Sequence, residues 1–219
     1  MLNAVTQIVY VIGRAQKNGI QMLGTGFAIK NMSYIVAPRH VVGDNDNNLV
    51  MIAPNITSFN EYQDTTINEC SVTNLKIKFS DPFRDLVILE LVNIKNYVFP
   101  TIPIGSSDDV NVGDEVYIFG FPHCVEGRKV LTMQKANIGA KILLNSSNVK
   151  SKYFVINTQT RPGQSGSMIY SPQQNKVIGM LIGAFASSSG ISLGGINPRE
   201  LHQTTQCISA EYINKMIGE

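Results

Sequence analysis

The sequence predicts an all-β protein made of two β modules. Short apolar or alternating runs recur at close spacing along the whole chain. Turn signals such as Asn18-Gly19 and Asn31-Met32-Ser33 separate them. Helical periodicity over a useful length occurs once, near the end.

The first module holds AVTQIVYVIG (4–13), IQMLGTGFAIK (20–30), SYIVAP (33–38), LVMIAP (49–54), NLKIKFS (74–80) and DLVILELV (85–92). The least strand-like stretch follows, NIKNYVFPTIPIGSSDDVNVG (93–113), with two prolines, paired serines and paired aspartates. It reads as the link between modules, dividing the chain into 1–100 and 101–219. The second module holds EVYIFGF (115–121), YFVINT (153–158) and KVIGMLIGAF (176–185). Segments 43–48, 55–71 and 145–151 are rich in Asn, Ser and Thr and read as loops. The helix is expected in AEYINKMI, with Ser209 as its cap, Ile213, Met216 and Ile217 on one face, and Gly218 as the stop.

Composition narrows the function classes. With 43% hydrophobic and 16% charged residues, the 219-residue chain has enough apolar surface to bury a core and is no disordered segment. A net charge of +2 is too near neutral for a dedicated nucleic-acid surface, so nucleic acid is not the expected partner. Cys70, Cys124 and Cys207 are odd in number and widely spaced, which argues against both a zinc cluster and a disulfide framework. They read as mostly buried thiols in a reducing compartment. No apolar run has the length of a membrane span. Residues 1–10 lack a basic leader and are interrupted by Thr6 and Gln7, so they read as a first strand rather than a signal peptide. The expectation is an intracellular protein, or a piece excised from a longer chain.

The chemistry concentrates in TRPGQSGSMIY (160–170). Gly163 and Gly166 bracket Ser165, allowing a tight turn that exposes the hydroxyl and aims the Gly163 and Ser165 amides at one point. Such amides can stabilise the oxyanion of a tetrahedral intermediate. A serine hydroxyl needs a base, and the histidines are His40, His123 and His202. No Asp or Glu precedes His40, and Ser167 stands where a G-x-S-x-G elbow needs its second glycine. The order His40–Asp85–Ser165 remains, with Asp81, Asp44 and Asp46 as rivals for the carboxylate. His123 and Cys124 are adjacent, so in a strand they point to opposite faces and make a poor catalytic pair. His202 reads as a surface residue.

At these residues the sequence resembles the chymotrypsin-like double-barrel proteases, nearest to the HtrA/Deg and trypsin-like peptidase branch. GTGFAI (24–29), APRHVV (37–42), DLVILEL (85–91), IGSSDDVNVGDEVYIFGFP (104–122), PGQSGSMIY (162–170) and VIGMLIGAF (177–185) stand in the family's order. The resemblance implies two six-stranded antiparallel barrels with a cleft between them, a short terminal helix, a protein or peptide substrate, and no metal or cofactor. It also implies substrate contacts from Gln159, Thr160, Leu181, Ile182 and Gly183. Gln159, at the place of the specificity-pocket floor, is uncharged, so an uncharged P1 residue of small or medium size is expected. Gln164 replaces the acid that digestive relatives pair with a new N-terminus, which implies no activation of that kind.

Arg39 beside the histidine, and Phe83-Arg84-Asp85, are similar to features of viral polyprotein proteases, the latter to an RNA-contacting stretch; Leu181 stands where those enzymes carry a specificity histidine. A polyprotein-processing protease and a catalytically silent binding module are therefore the alternatives.

Overall fold

The computed structural model describes residues 2–29, 34–92, 100–185 and 204–218. Twelve strands form two closed six-stranded antiparallel barrels. The first uses β1 (Val9–Gln16), β2 (Gly19–Ile29), β3 (Tyr34–Pro38), β4 (Leu49–Ile52), β5 (Val72–Asp81) and β6 (Leu86–Leu91), in the order β1-β2-β3-β6-β5-β4. The second uses β7 (Glu115–Gly120), β8 (Thr132–Ser146), β9 (Val149–Ile156), β10 (Met168–Ser171), β11 (Lys176–Phe185) and β12 (Thr204–Ser209), in the order β10-β11-β12-β9-β8-β7. Closure gives each strand a partner on both sides, although the outer half of the β8–β9 hairpin extends beyond β7 and β12.

Alternation along single strands sorts side chains between two cores. In β7, Val116 and Ile118 enter the interior of the second barrel with Phe154, Ile169 and Leu181. Phe119 faces the other way, into a larger cluster that runs from Phe27, Ile35 and Ile88 of the first barrel to Phe121, Met168 and Tyr212. That second cluster packs the two barrels together.

Three local expectations are corrected. The chain opens with a helical turn, α1 (Leu2–Val5), and β1 starts only at Val9, because Thr6 Oγ1 and Gln7 N bond back to Asn3 O and Ala4 O. Segment 145–151 is a hairpin rather than a loop: Ser147 and Asn148, at φ of 48° and 67°, make the two-residue turn between β8 and β9. The expected link 93–113 lies outside the described residues over 93–99; beyond it, Ile104 bridges Val177 of the second barrel and 107–109 form a 3-10 turn. Ser209 does not cap the last helix, α3 (Glu211–Met216 after the short α2, Arg39–Val42). It ends β12, and its Oγ accepts from Ser107 N at 2.9 Å.

Candidate active site

β3 ends in Pro38 and runs directly into α2, whose second residue is His40. Asp85 sits just before β6, which pairs with β3 so that Pro38 lies opposite Leu86. Asp85 is in the left-handed region at φ 57°, which aspartate tolerates better than most residues. Both of its carboxylate oxygens reach His40. Oδ1 accepts from the His40 backbone N–H at 2.8 Å and Oδ2 lies 2.5 Å from Nδ1. A carboxylate only accepts, so the ring proton belongs on Nδ1 and Nε2 is left as an acceptor. Arg39 N–H donates to Asp85 O at 3.0 Å and closes the arrangement from the backbone.

The rival carboxylates are occupied elsewhere. Asp81 accepts from Arg84 and from the Phe83 and Arg84 amides. Asp44 pairs with Arg39, and Asp46 accepts from Ile77 N. Arg84 is mostly enclosed, its guanidinium on Asp81 and 4.4 Å over the Tyr212 ring, so the basic residue of the Phe83-Arg84-Asp85 stretch serves the junction between barrels.

The Ser165 turn comes from the second barrel and seats on β2 of the first. Thr25 N–H donates to Ser165 O at 2.8 Å. A Cβ on Gly24 would lie 3.0 Å from both Ser165 O and Val41 Cγ1, so one glycine floor separates the serine from the residue after His40. A Cβ on Gly166 would fall 1.8 Å from Thr25 O and 2.8 Å from Pro38 Cδ. Only glycine permits that approach. The turn is held from within as well. Gln164 is buried; its Oε1 accepts from Arg161 N at 2.7 Å and its Nε2 donates to Gln134 Oε1 at 2.9 Å. Ser167 donates to Gln164 O through both N and Oγ. Among the described residues, neither the Gly163 nor the Ser165 amide donates to a protein acceptor.

Of the expected substrate contacts, Gln159 is exposed and Thr160, Ile182 and Gly183 are partly so. Leu181 is not: its side chain is fully buried in the second core, and it reaches the site through its backbone, bonding Gly166 N and Ser167 O. Sequence reasoning missed Thr205, whose buried hydroxyl donates to Thr158 O at 2.5 Å and anchors the 158–160 segment. It also passed over Thr25 within GTGFAI (24–29). Cys124 and Cys207 are buried and all three cysteines are free. Burial pushes the Cys124 thiol up to about 12, so no thiolate adjoins His123, whose Nδ1 faces Glu126. His202 lies outside the described residues. Among these residues no metal-holding group of His, Cys, Asp and Glu occurs, and no helix is long and apolar enough to cross a membrane.

Two closed barrels with a histidine–aspartate pair on one and a glycine-framed serine on the other define a chymotrypsin-like double-barrel domain. The chain belongs to the trypsin-like peptidase domain family, whose model matches residues 24–180. It is 26% identical over 182 residues to a protein of Pseudomonas fulva (strain 12-X) named a probable periplasmic serine endoprotease, DegP-like, covering 81% of this chain and 32% of the relative. A protein of the same name from Brucella suis is 25% identical over 167 residues, covering 76% and 28%. The chain thus spans about a third of the length of these relatives. Among solved structures, the MamO protease domain of Magnetospirillum magneticum superposes with a TM-score of 0.70 at 13% identity, covering 98% of both chains. The HtrA-type protease AlgW with a decapeptide gives 0.67 at 18%, covering 98% of this chain and 66% of that one. The expectation of an intracellular protein is corrected here, because these sequence relatives are named as periplasmic.

Proposed function

We propose that this domain is a serine endopeptidase that cleaves peptide bonds through an acyl-enzyme. Ser165 Oγ attacks the scissile carbonyl while His40 Nε2 takes its proton. Asp85 holds the ring and stabilises the imidazolium. The Gly163 and Ser165 amides receive the oxyanion. His40 then protonates the leaving amine, and the same base activates the water that releases the acid. The observation that carries this reading is the two-point grip of Asp85 on His40, next to a serine turn bonded to the neighbouring strand.

Gln159, Thr160, Ile182 and Gly183 carry no charge, which supports an uncharged P1 residue. Gln164 spans the turn with neutral hydrogen bonds, so the turn needs no new N-terminus to hold it. By their names the relatives put the proposed workplace in the periplasm. No observation raises the viral or silent-module alternatives above this reading.

A fluorophosphonate probe tests it, with the adduct mapped by mass. A single adduct on Ser165, absent in Ser165→Ala and His40→Ala, is expected. Folded wild-type protein that takes no label overturns the reading.

A further inference from the structure

We infer that Thr25 is a positioning residue for the oxyanion turn, acting from the opposite barrel through its hydroxyl. The inference rests on the reading of Ser165 as nucleophile. Thr25 is fully buried in β2, 138 residues from Gly163 in sequence. Its Oγ1 donates to Gly163 O at 2.9 Å and accepts from Phe121 N at 3.1 Å. Its own N–H donates to Ser165 O. One residue of the first barrel thus grips the carbonyls of both residues whose amides are assigned to the oxyanion.

Peptide planarity gives this grip its consequence. A carbonyl fixed in direction fixes the N–H of the same plane, which belongs to the next residue. Along the turn, Pro162 O accepts from His123 N, Gly163 O from Thr25 Oγ1, Gln164 O from Ser167, and Ser165 O from Thr25 N. Four consecutive peptide planes are therefore pinned; the two that Thr25 holds carry the Gln164 and Gly166 amides and flank, on both sides, the plane that carries the Ser165 N–H. Gly163, at φ 89°, has the freedom to turn its plane about; its carbonyl accepts from the Thr25 hydroxyl across the barrels at 2.9 Å and from the weaker Cys124 thiol at 3.7 Å. β2 pairs with β3, which ends at Pro38 before His40. Thr25 therefore registers the serine turn against the histidine strand.

The test compares wild type, Thr25→Val, Thr25→Ser and Thr25→Cys for the rate of fluorophosphonate labelling at Ser165, for kcat and KM on a peptide substrate, and for thermal midpoint. Thr25→Val removes the hydroxyl at nearly constant shape. Labelling rate and kcat are expected to fall about 10- to 100-fold, less than the roughly 10²–10³ for removing an oxyanion donor outright, with KM within about threefold. Thr25→Ser keeps the hydroxyl and should stay within about threefold of wild type. If Thr25→Val does not fold, the Ser and Cys variants differ only in oxygen against sulfur and give the same comparison, with Cys the slower. Wild-type kcat in Thr25→Val, equal losses in Thr25→Ser and its hydroxyl-free counterpart, or a change confined to KM overturns the assignment. Absence of label on wild type instead defeats the nucleophile reading on which it rests.

Discussion

Asp85 holds His40 at two points, the backbone N–H at 2.8 Å and the ring Nδ1 at 2.5 Å. The same carboxylate therefore sets the start of α2 and the rotation of the imidazole. Asp85→Asn separates these roles. Asparagine accepts φ 57° and can still receive the backbone N–H, so the fold should survive with a thermal midpoint close to wild type. Its amide NH₂ facing Nδ1 would favour the wrong tautomer, and kcat should fall by about 10³–10⁴. A loss under about tenfold would show that Asp85 does not orient the base.

Ser167 fits a notch in the first strand of the second barrel. A Cβ on Gly120 would lie 1.9 Å from Ser167 Oγ and 2.9 Å from Ser167 Cβ. Gly120→Ala should destabilise the domain by about 1–3 kcal/mol through overpacking and distort the Ser165 turn. Adding Ser167→Gly removes both clashing atoms, so the double variant should recover stability relative to Gly120→Ala in denaturant melts. Strict additivity of the two changes would refute the contact.

Strand period and residue order made much of this molecule legible. The runs around Phe27, Val36 and Ile88 mark barrel strands directly, since each is nearly all apolar. β8 is hard to see because only Ala136 and Ile138 of its fifteen residues are buried, and Ile142 and Leu144 of its outer half are only half-buried against the core. Ser209 resembles a cap, yet its hydroxyl is taken by Ser107 N, a partner 102 residues away. Thr25 escaped notice for the same reason: its partners, Gly163 and Phe121, become neighbours only when the barrels pack.

Arg84 links the Asp85 turn to α3. Its guanidinium pairs with Asp81 at 2.7 Å and stacks on Tyr212, and Tyr153 OH donates to Arg84 O at 3.4 Å. Arg84→Gln should lower stability by about 1–2 kcal/mol, from the lost cation–π contact and partly enclosed ion pair. Because Arg84 adjoins the left-handed Asp85, kcat/KM should fall about three- to tenfold as well. Unchanged kcat/KM at reduced stability would confine Arg84 to packing.

Glu211, the first residue of α3, supplies a pH-dependent fastening. Burial alone would raise its pKa, but Lys215 at 2.9 Å, the Ser106 hydroxyl at 2.7 Å and Lys152 at 3.2 Å bring it down to about 2. The folded state therefore holds this proton less tightly than the unfolded chain, whose carboxyl titrates at an ordinary 4.5. The stabilisation is fully present above that value and is lost as pH falls from it toward 2. Allowing for solvent screening, it amounts to about 1–2 kcal/mol. Glu211→Gln should accordingly melt lower than wild type at pH 7, and the gap should close between about pH 4.5 and 2. A gap that stays constant over that window would mean that the carboxylate charge is not what fastens the helix.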